Sequence, residues 1–234
     1  LPTRRNMVFE VKYAYEDNNY NQSYAGQTSA DFGANPHQQY VGYQLGEYNT
    51  EHHTSYAKFR ADINSNITNT TTGYFNYFTR DWFKLDKVVS GGTSCSLETV
   101  VSKAATGNCG RAALNILKGS TAGQLRYKGN DRQYGAYGIM NETDFSFNTN
   151  IFGKNIGHKL KVGYKYHYDY HHRDQQSHNF TQAAGGLITA HASGVTTGGS
   201  SDDRKETSRG HVAYFEESAT INNFVASFGA RFEY

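Results

Sequence analysis

The chain has 234 residues and a net charge of +2, and its lysines and arginines form no basic stripe of the kind nucleic acid requires. No apolar run approaches the roughly 18 residues of a spanning helix, which excludes transmembrane helices. Its 19 Tyr, 14 Phe and 24 Gly within a chain only 37% hydrophobic suit a β-protein with an aromatic face and wide wet surfaces.

The chain opens "LPTRRNMVFE", with neither an initiator methionine nor a charged-then-apolar signal segment, as expected of a processed or partial chain. In "NMVFEVKYAYE" (6–16), Met7, Phe9, Val11, Tyr13 and Tyr15 alternate with Glu10, Lys12 and Ala14. Period two predicts a strand, because successive side chains point to opposite faces. A polar stretch near 17–52 reads as a long connection. "TSYAKFRADINS" then sets Ala57, Phe59, Ala61 and Ile63 against Tyr56, Lys58, Arg60 and Asp62. A turn at Asn64-Ser65-Asn66 leads into "TNTTTGYFNYFTRDWFKLD" (68–86).

A second long connection, near 86–131, holds the two cysteines. Cys95 and Cys109 belong to no Cys-x-x-Cys pair, which gives zinc little support and favours a local disulfide in an oxidising compartment over two free thiols. "DRQYGAYGIMNETDFSF" is a weaker strand. The turn "NTNIFGKNIG" leads into "HKLKVGYKYHYDYHH" (158–172), where Leu160, Val162, Tyr164, Tyr166, Tyr168 and Tyr170 share one face and Lys161, Gly163, Lys165, His167 and Asp169 the other. A third long connection lies near 172–209. "HVAYFEESATI", the turn Asn222-Asn223 and "FVASFGARFEY" form a hairpin.

Seven strands thus alternate between very long and very short connections. A soluble sandwich would cover the apolar face with a second sheet, whereas a membrane barrel turns it to lipid. The rhythm favours the barrel, since its short turns and long loops fall at opposite ends. Lys12, Lys58, Arg60, Lys161, Lys165 and Arg231 all fall on the polar phase, as a lipid-facing wall demands. Glu217 shares the apolar phase of Phe215 and Ala219, which predicts a bulge or a position near the interface. The expected fold is therefore all-β: an antiparallel transmembrane β-barrel. Seven strands are an odd number for a bacterial barrel, so this is a slice of a larger one or a strand is missed.

"TNTTTGYFNYFTRDWFKLD" (68–86), "NPHQQYVGYQLGEYNTEHHTSYAKFRADI" (35–63) and "AYFEESATINNFVASFGARFEY" (213–234) resemble, in order and spacing, barrel strands of TonB-dependent outer-membrane receptors of the ferric dicitrate type. The closing Ser227-Phe228-Gly229-Ala230-Arg231-Phe232-Glu233 lacks the proline usual in that family's last strand. The resemblance implies a 22-stranded barrel, of which residues 1–234 are an internal segment, and a plug domain that this sequence does not contain. It implies a non-enzymatic transporter in the bacterial outer membrane, set among lipid and lipopolysaccharide and driven by the TonB complex through the plug. The cargo would be an iron(III) chelate, ferric citrate or another siderophore, with no resident cofactor or metal. The competing readings are a small porin-like barrel ending at Tyr234, a barrel enzyme, and a soluble adhesin. Asp169 and His171 share a face, but no Gly-x-Ser-x-Gly accompanies them.

Arginine suits an anionic chelate because guanidinium binds carboxylates bidentately. Arg80, the nearby Trp82 and Arg132 are candidate ligand-binding residues, the arginines at the outer ends of their strands, with interfacial anchoring or a lumen ion pair to Asp81 or Asp131 as the alternative for the arginines. His167 and His171 are candidates for transient contact with a metal or haem, with polar lining of the lumen as the alternative. They lie roughly 13 Å apart along a strand, too far to share a metal without help from another strand. His37 is a weaker candidate.

Overall fold

A computed structural model describes residues 6–102, 107–191, 199 and 201–234. The long strands are β1 (Met7–Asn21), β2 (Glu47–Asn64), β3 (Ile67–Ser90), β5 (Gly123–Ile151), β6 (Lys154–Gln182), β8 (Asp202–Ile221) and β9 (Phe224–Glu233). Two short strands, β4 (Thr93–Ser96) and β7 (Ile188–His191), pair with the far ends of β3 and β6. All belong to one antiparallel sheet of order β1-β2-β3-β5-β6-β8-β9, which is not closed within this segment.

The register puts the sequence alternation onto two continuous faces. Lys12, Lys58, Arg60, Lys161, Lys165 and Arg231 fall on one of them. The other carries Phe9, Phe59, Phe75, Tyr137, Val162, Phe215, Phe228 and Phe232. Among the described residues no second sheet covers it: Phe9 is 68% exposed, Phe228 63% and Phe232 69%. That is the pattern of a wall facing lipid, not of a sandwich.

Glu217 stands on this apolar face without any bulge, because β6 and β8 pair in unbroken register. His158, from the neighbouring strand, lies 2.7 Å from its carboxylate and covers the charge. Asn69 and Asn141 likewise exchange side-chain hydrogen bonds of 3.1 Å across β3 and β5, and so satisfy one another.

The strands run well past the expected ends near 17, 52, 86, 131, 172 and 209. Beyond the membrane no lipid imposes one apolar face, so alternation fades while the backbone ladder continues. β5 and β6 have 29 residues each, where a crossing takes roughly 9–11. The remaining connections span 22–46, 91–122 and 183–201, with residues 103–106, 192–198 and 200 outside the described set.

These three connections interlock. Short helix α1 (Ser29–Ala34) buries no residue, whereas α2 (Leu97–Ser102) and α3 (Ala113–Leu117), with Tyr40 and Tyr43 of the first connection, build a core that includes Leu97, Val100, Leu114 and Leu117. It packs on Leu85, Leu125, Tyr127 and Phe180, an extension of the apolar face above the belt. Cys95 and Cys109 are joined, with Cα atoms 5.3 Å apart. Closing so short a loop contributes about 3 kcal/mol in the chain-entropy description. Lys118 and Asp31 link the second connection to the first at 2.7 Å, and Gln44 reaches the Gly186 carbonyl of the third at 2.7 Å. The Asp31 carboxyl is held down at about 2, by Lys118 first and then by Tyr40 and Thr28.

At the opposite end the turns are two residues long. Phe152 and Gly153 have φ of 53° and 74°, the backbone of a type I′ turn, which suits Asn-Gly and strains a bulky side chain. Phe152→Asn is therefore expected to raise barrel stability by about 1 kcal/mol, read from urea unfolding in lipid vesicles. An unchanged midpoint would remove the strain argument.

Candidate functional site

Four strands carry an arginine next to an aspartate: Arg80-Asp81 on β3, Asp131-Arg132 on β5, Arg173-Asp174 on β6 and Asp203-Arg204 on β8. The order reverses on alternate strands, as an antiparallel sheet requires if like residues are to meet. They do meet. Arg80, Arg132, Arg173 and Arg204 are direct cross-strand partners in sequence across the sheet, and so are Asp81, Asp131, Asp174 and Asp203. Neighbouring residues point to opposite faces, so the arginines line the polar face and the aspartates the other.

The ion pairs Arg80–Asp81 and Arg132–Asp131 are thereby ruled out. Arg80 and Arg132 also lie within strands, not at their ends, because β3 continues to Ser90 and β5 begins at Gly123.

Arg173 and Arg204 are neutralised locally, by Asp202 and Glu206 at 3.1 Å each. Arg80 and Arg132 have no carboxylate within ion-pair distance among the described residues. Arg132 donates to the Tyr134 hydroxyl at 3.2 Å and to Asn130 at 3.4 Å. The Arg80 Nε and the Trp82 Nε1 are buried without an acceptor among the described residues. Four residues along from the two arginines, Lys84 and Lys128 are also direct partners. The Lys84 ammonium sits 3.6 Å from the Tyr24 ring centre and 4.1 Å from that of Trp82. Burial pushes it below the usual lysine range; Asp86 opposes this, while Lys128, Arg80 and Arg132 add to it. The result is a block of four cations, Arg80, Lys84, Lys128 and Arg132, in which like charges face each other directly. Such pairs are destabilising unless an anion lies between them.

Aromatic tiers flank the arginine row. On one side Tyr20 stacks on Tyr48 at 5.2 Å, and Tyr48 and Tyr24 each meet Trp82 at 5.5 Å. On the other, His52, Phe78, Tyr134 and His171 form a ladder that ends with His171 stacked on Tyr134 at 4.7 Å. The structure therefore brings Arg80, Trp82, Arg132 and His171 onto one patch. His167 lies apart: its Nδ1 is 2.5 Å from the Tyr74 hydroxyl and its Nε2 3.2 Å from Asp169. No group of three metal-ligating side chains is found among the described residues. His37 is exposed, in the first connection.

Arg173, Arg204, Lys84 and Lys128 escape a strand-by-strand reading of the sequence. The signal that finds Arg173 and Arg204 is the repeated Arg-Asp dipeptide with alternating order; Lys84 and Lys128 emerge only from the register.

Fold and site together define an arc of an antiparallel β-barrel wall, with a cationic, aromatic-flanked patch on its polar face. No protein-family profile matches the chain, and no curated relative matches it. Among solved structures, the crystal structure of the ferric citrate transporter FecA in the unliganded form matches over 97% of this chain, with a TM-score of 0.60 and 16% sequence identity. The chain spans about a quarter of that transporter, 26% of its length. The likeness is one of fold, to a transporter and not to an enzyme.

On the opposite face, Asp131 lies about 20 residues from the turn at Ile151, beyond a membrane crossing. Burial, then Asp81 and Asp174, push its carboxyl up to about 6. A raised carboxyl penalises the fold while ionised, so the penalty is complete above about pH 6 and fades as pH falls toward the unfolded value near 3.8. Asp131→Asn is expected to stabilise the protein at pH 7.5 and to lose that advantage near pH 4, measured by denaturant unfolding at both pH values.

Proposed function

We propose that this chain forms part of the wall of a bacterial outer-membrane receptor that imports an anionic ferric chelate, ferric citrate or another siderophore. The observation that carries this reading is the block of Arg80, Lys84, Lys128 and Arg132, ion-paired to no carboxylate among the described residues, on the polar face, which becomes the lumen face in a closed barrel. The transporter fold supports it.

The patch lies outward of the membrane-crossing part of the strands, at the lumen's outer mouth. There the guanidiniums of Arg80 and Arg132 would hold a chelate's carboxylates, and Trp82 Nε1 would supply a further donor. Release inward would be driven by the TonB complex acting through a plug domain in the complete receptor. His171 would contribute at the rim of the same patch, and His167, held by Tyr74 and Asp169, would line the path below it.

The test is binding of ferric dicitrate to the full-length protein, by calorimetry in detergent. Arg80→Gln and Arg132→Gln should each weaken binding about tenfold or more, as loss of a charged hydrogen bond does. Tyr74→Phe should leave binding near the unaltered level. Absence of binding by the unaltered protein to ferric dicitrate and to other ferric siderophores would overturn the reading.

A further inference from the structure

One cation of the block is held by a residue that comes from outside the sheet. Tyr24 belongs to the first connection, yet its ring centre lies 3.6 Å from the Lys84 ammonium and 5.5 Å from that of Trp82. The Trp82 ring centre is itself 4.1 Å from the same ammonium. A lysine carries a long flexible stem and a strongly hydrated charge, so it holds one position only when something fixes it. Lys84 also faces Lys128 directly across the two strands. Left alone, its ammonium would turn away from that like charge. The two rings attract it instead, through the negative potential over their faces.

Tyr24 is 49% exposed, so its burial adds little to the cap. The chain on either side of it is pinned. The Gln22 amide donates to the Gly46 carbonyl at 3.2 Å, and the Thr28 amide to the Tyr40 hydroxyl at 2.9 Å. Between them, the Tyr43 hydroxyl donates to the Gly26 carbonyl at 3.1 Å. Tyr43 is buried in the cap core. Burial, with Tyr40 and Tyr127 adding to it, pushes its ionisation up, so the hydroxyl remains a donor. The residue before it, Gly42, is pressed against α3: a Cβ there would come within 2.8 Å of the Leu117 carbonyl oxygen. A continuous run of contacts therefore leads from α3 through Tyr43 and Gly26 to Tyr24, and from Tyr24 to Lys84.

We infer that Tyr24 is a positioning residue of the anion site. It clamps Lys84 against Trp82 and so presents the ammonium beside Lys128, and the cap core sets the clamp through the Tyr43 hydroxyl. An anion that meets two ammoniums already in place does not have to order them as it binds. The inference rests on the anionic-chelate reading and deepens it, because the site's affinity is then set partly by Tyr43, a residue buried in the cap.

The experiment is calorimetry of ferric dicitrate binding to the full-length protein in detergent. Tyr24→Leu should weaken binding about fivefold, the loss expected for one cation–ring contact. Tyr24→Phe keeps the ring and should bind within about twofold of the unaltered protein. In the Lys84→Gln background, with no ammonium to clamp, Tyr24→Leu should have no further effect. Tyr43→Phe should weaken binding about threefold alone and not at all beside Lys84→Gln. Folding of each variant is read from heat-modifiable gel migration. If Tyr24→Leu does not fold, the Tyr43→Phe comparison with and without Lys84→Gln decides. Unaltered binding by Tyr24→Leu, an equal loss in Tyr24→Phe, a silent Tyr43→Phe, or a full loss persisting beside Lys84→Gln would overturn the inference and leave the chelate reading standing. Absence of binding by the unaltered protein would overturn both.

Discussion

The structure depends on one constraint, the cross-strand register of β3, β5, β6 and β8. A strand shifted by one residue exchanges its two faces completely. In the observed register four arginines meet on one face and four aspartates on the other. The same register keeps Lys58, Arg60, Lys161 and Lys165 off the apolar face and leaves Phe9, Phe59, Val162 and Phe228 on it. Site and membrane wall are thus consequences of a single alignment. Neither row of like charges stabilises the sheet, so apolar alternation and backbone pairing must hold the register against them.

The interlocked connections answer a different need. Strands that project so far beyond a bilayer have no lipid to cover Leu85, Leu125, Tyr127 and Phe180. The helices of the 91–122 connection, with Tyr40 and Tyr43, cover them instead, and the disulfide and the Lys118–Asp31 pair close the assembly. Tyr24 belongs to the connection that supplies Tyr40 and Tyr43 but lies on the polar face, against Trp82 and Lys84. One connection therefore touches both the cap core and the cationic patch, which ties the position of the site's outer aromatic wall to the packing of the cap.

The membrane-crossing halves of the strands were legible because lipid and water impose a strict period of two. Leu160 to Tyr170 shows it without a break, and the turns at Ser65-Asn66 and Asn222-Asn223 are where the polar pairs suggest. Legibility ended where that contrast ended. Residues 172–182 and 202–209 are strand, yet no lipid faces them and their side chains mix charge with amide. Arg173 and Arg204 lie in those stretches, so two of the four arginines were hidden inside an apparent loop. The expected partners Asp81 and Asp131 failed for a simpler reason, since adjacent residues in a strand cannot share a face. Glu217 looked like a break in the pattern because its cover, His158, comes from another strand.

The register itself is the claim to test most directly. Directly opposed residues have Cα atoms about 4.5–5.5 Å apart, within the span a disulfide can bridge. In the full-length protein, an Arg80→Cys/Arg132→Cys pair should close a disulfide under mild oxidation, identified by peptide mass mapping beside the native Cys95–Cys109 bond. An Arg80→Cys/Asp131→Cys pair, on opposite faces, should not. Linkage of the second pair in preference to the first would show the register to be displaced by one residue, and the arginine row would not exist.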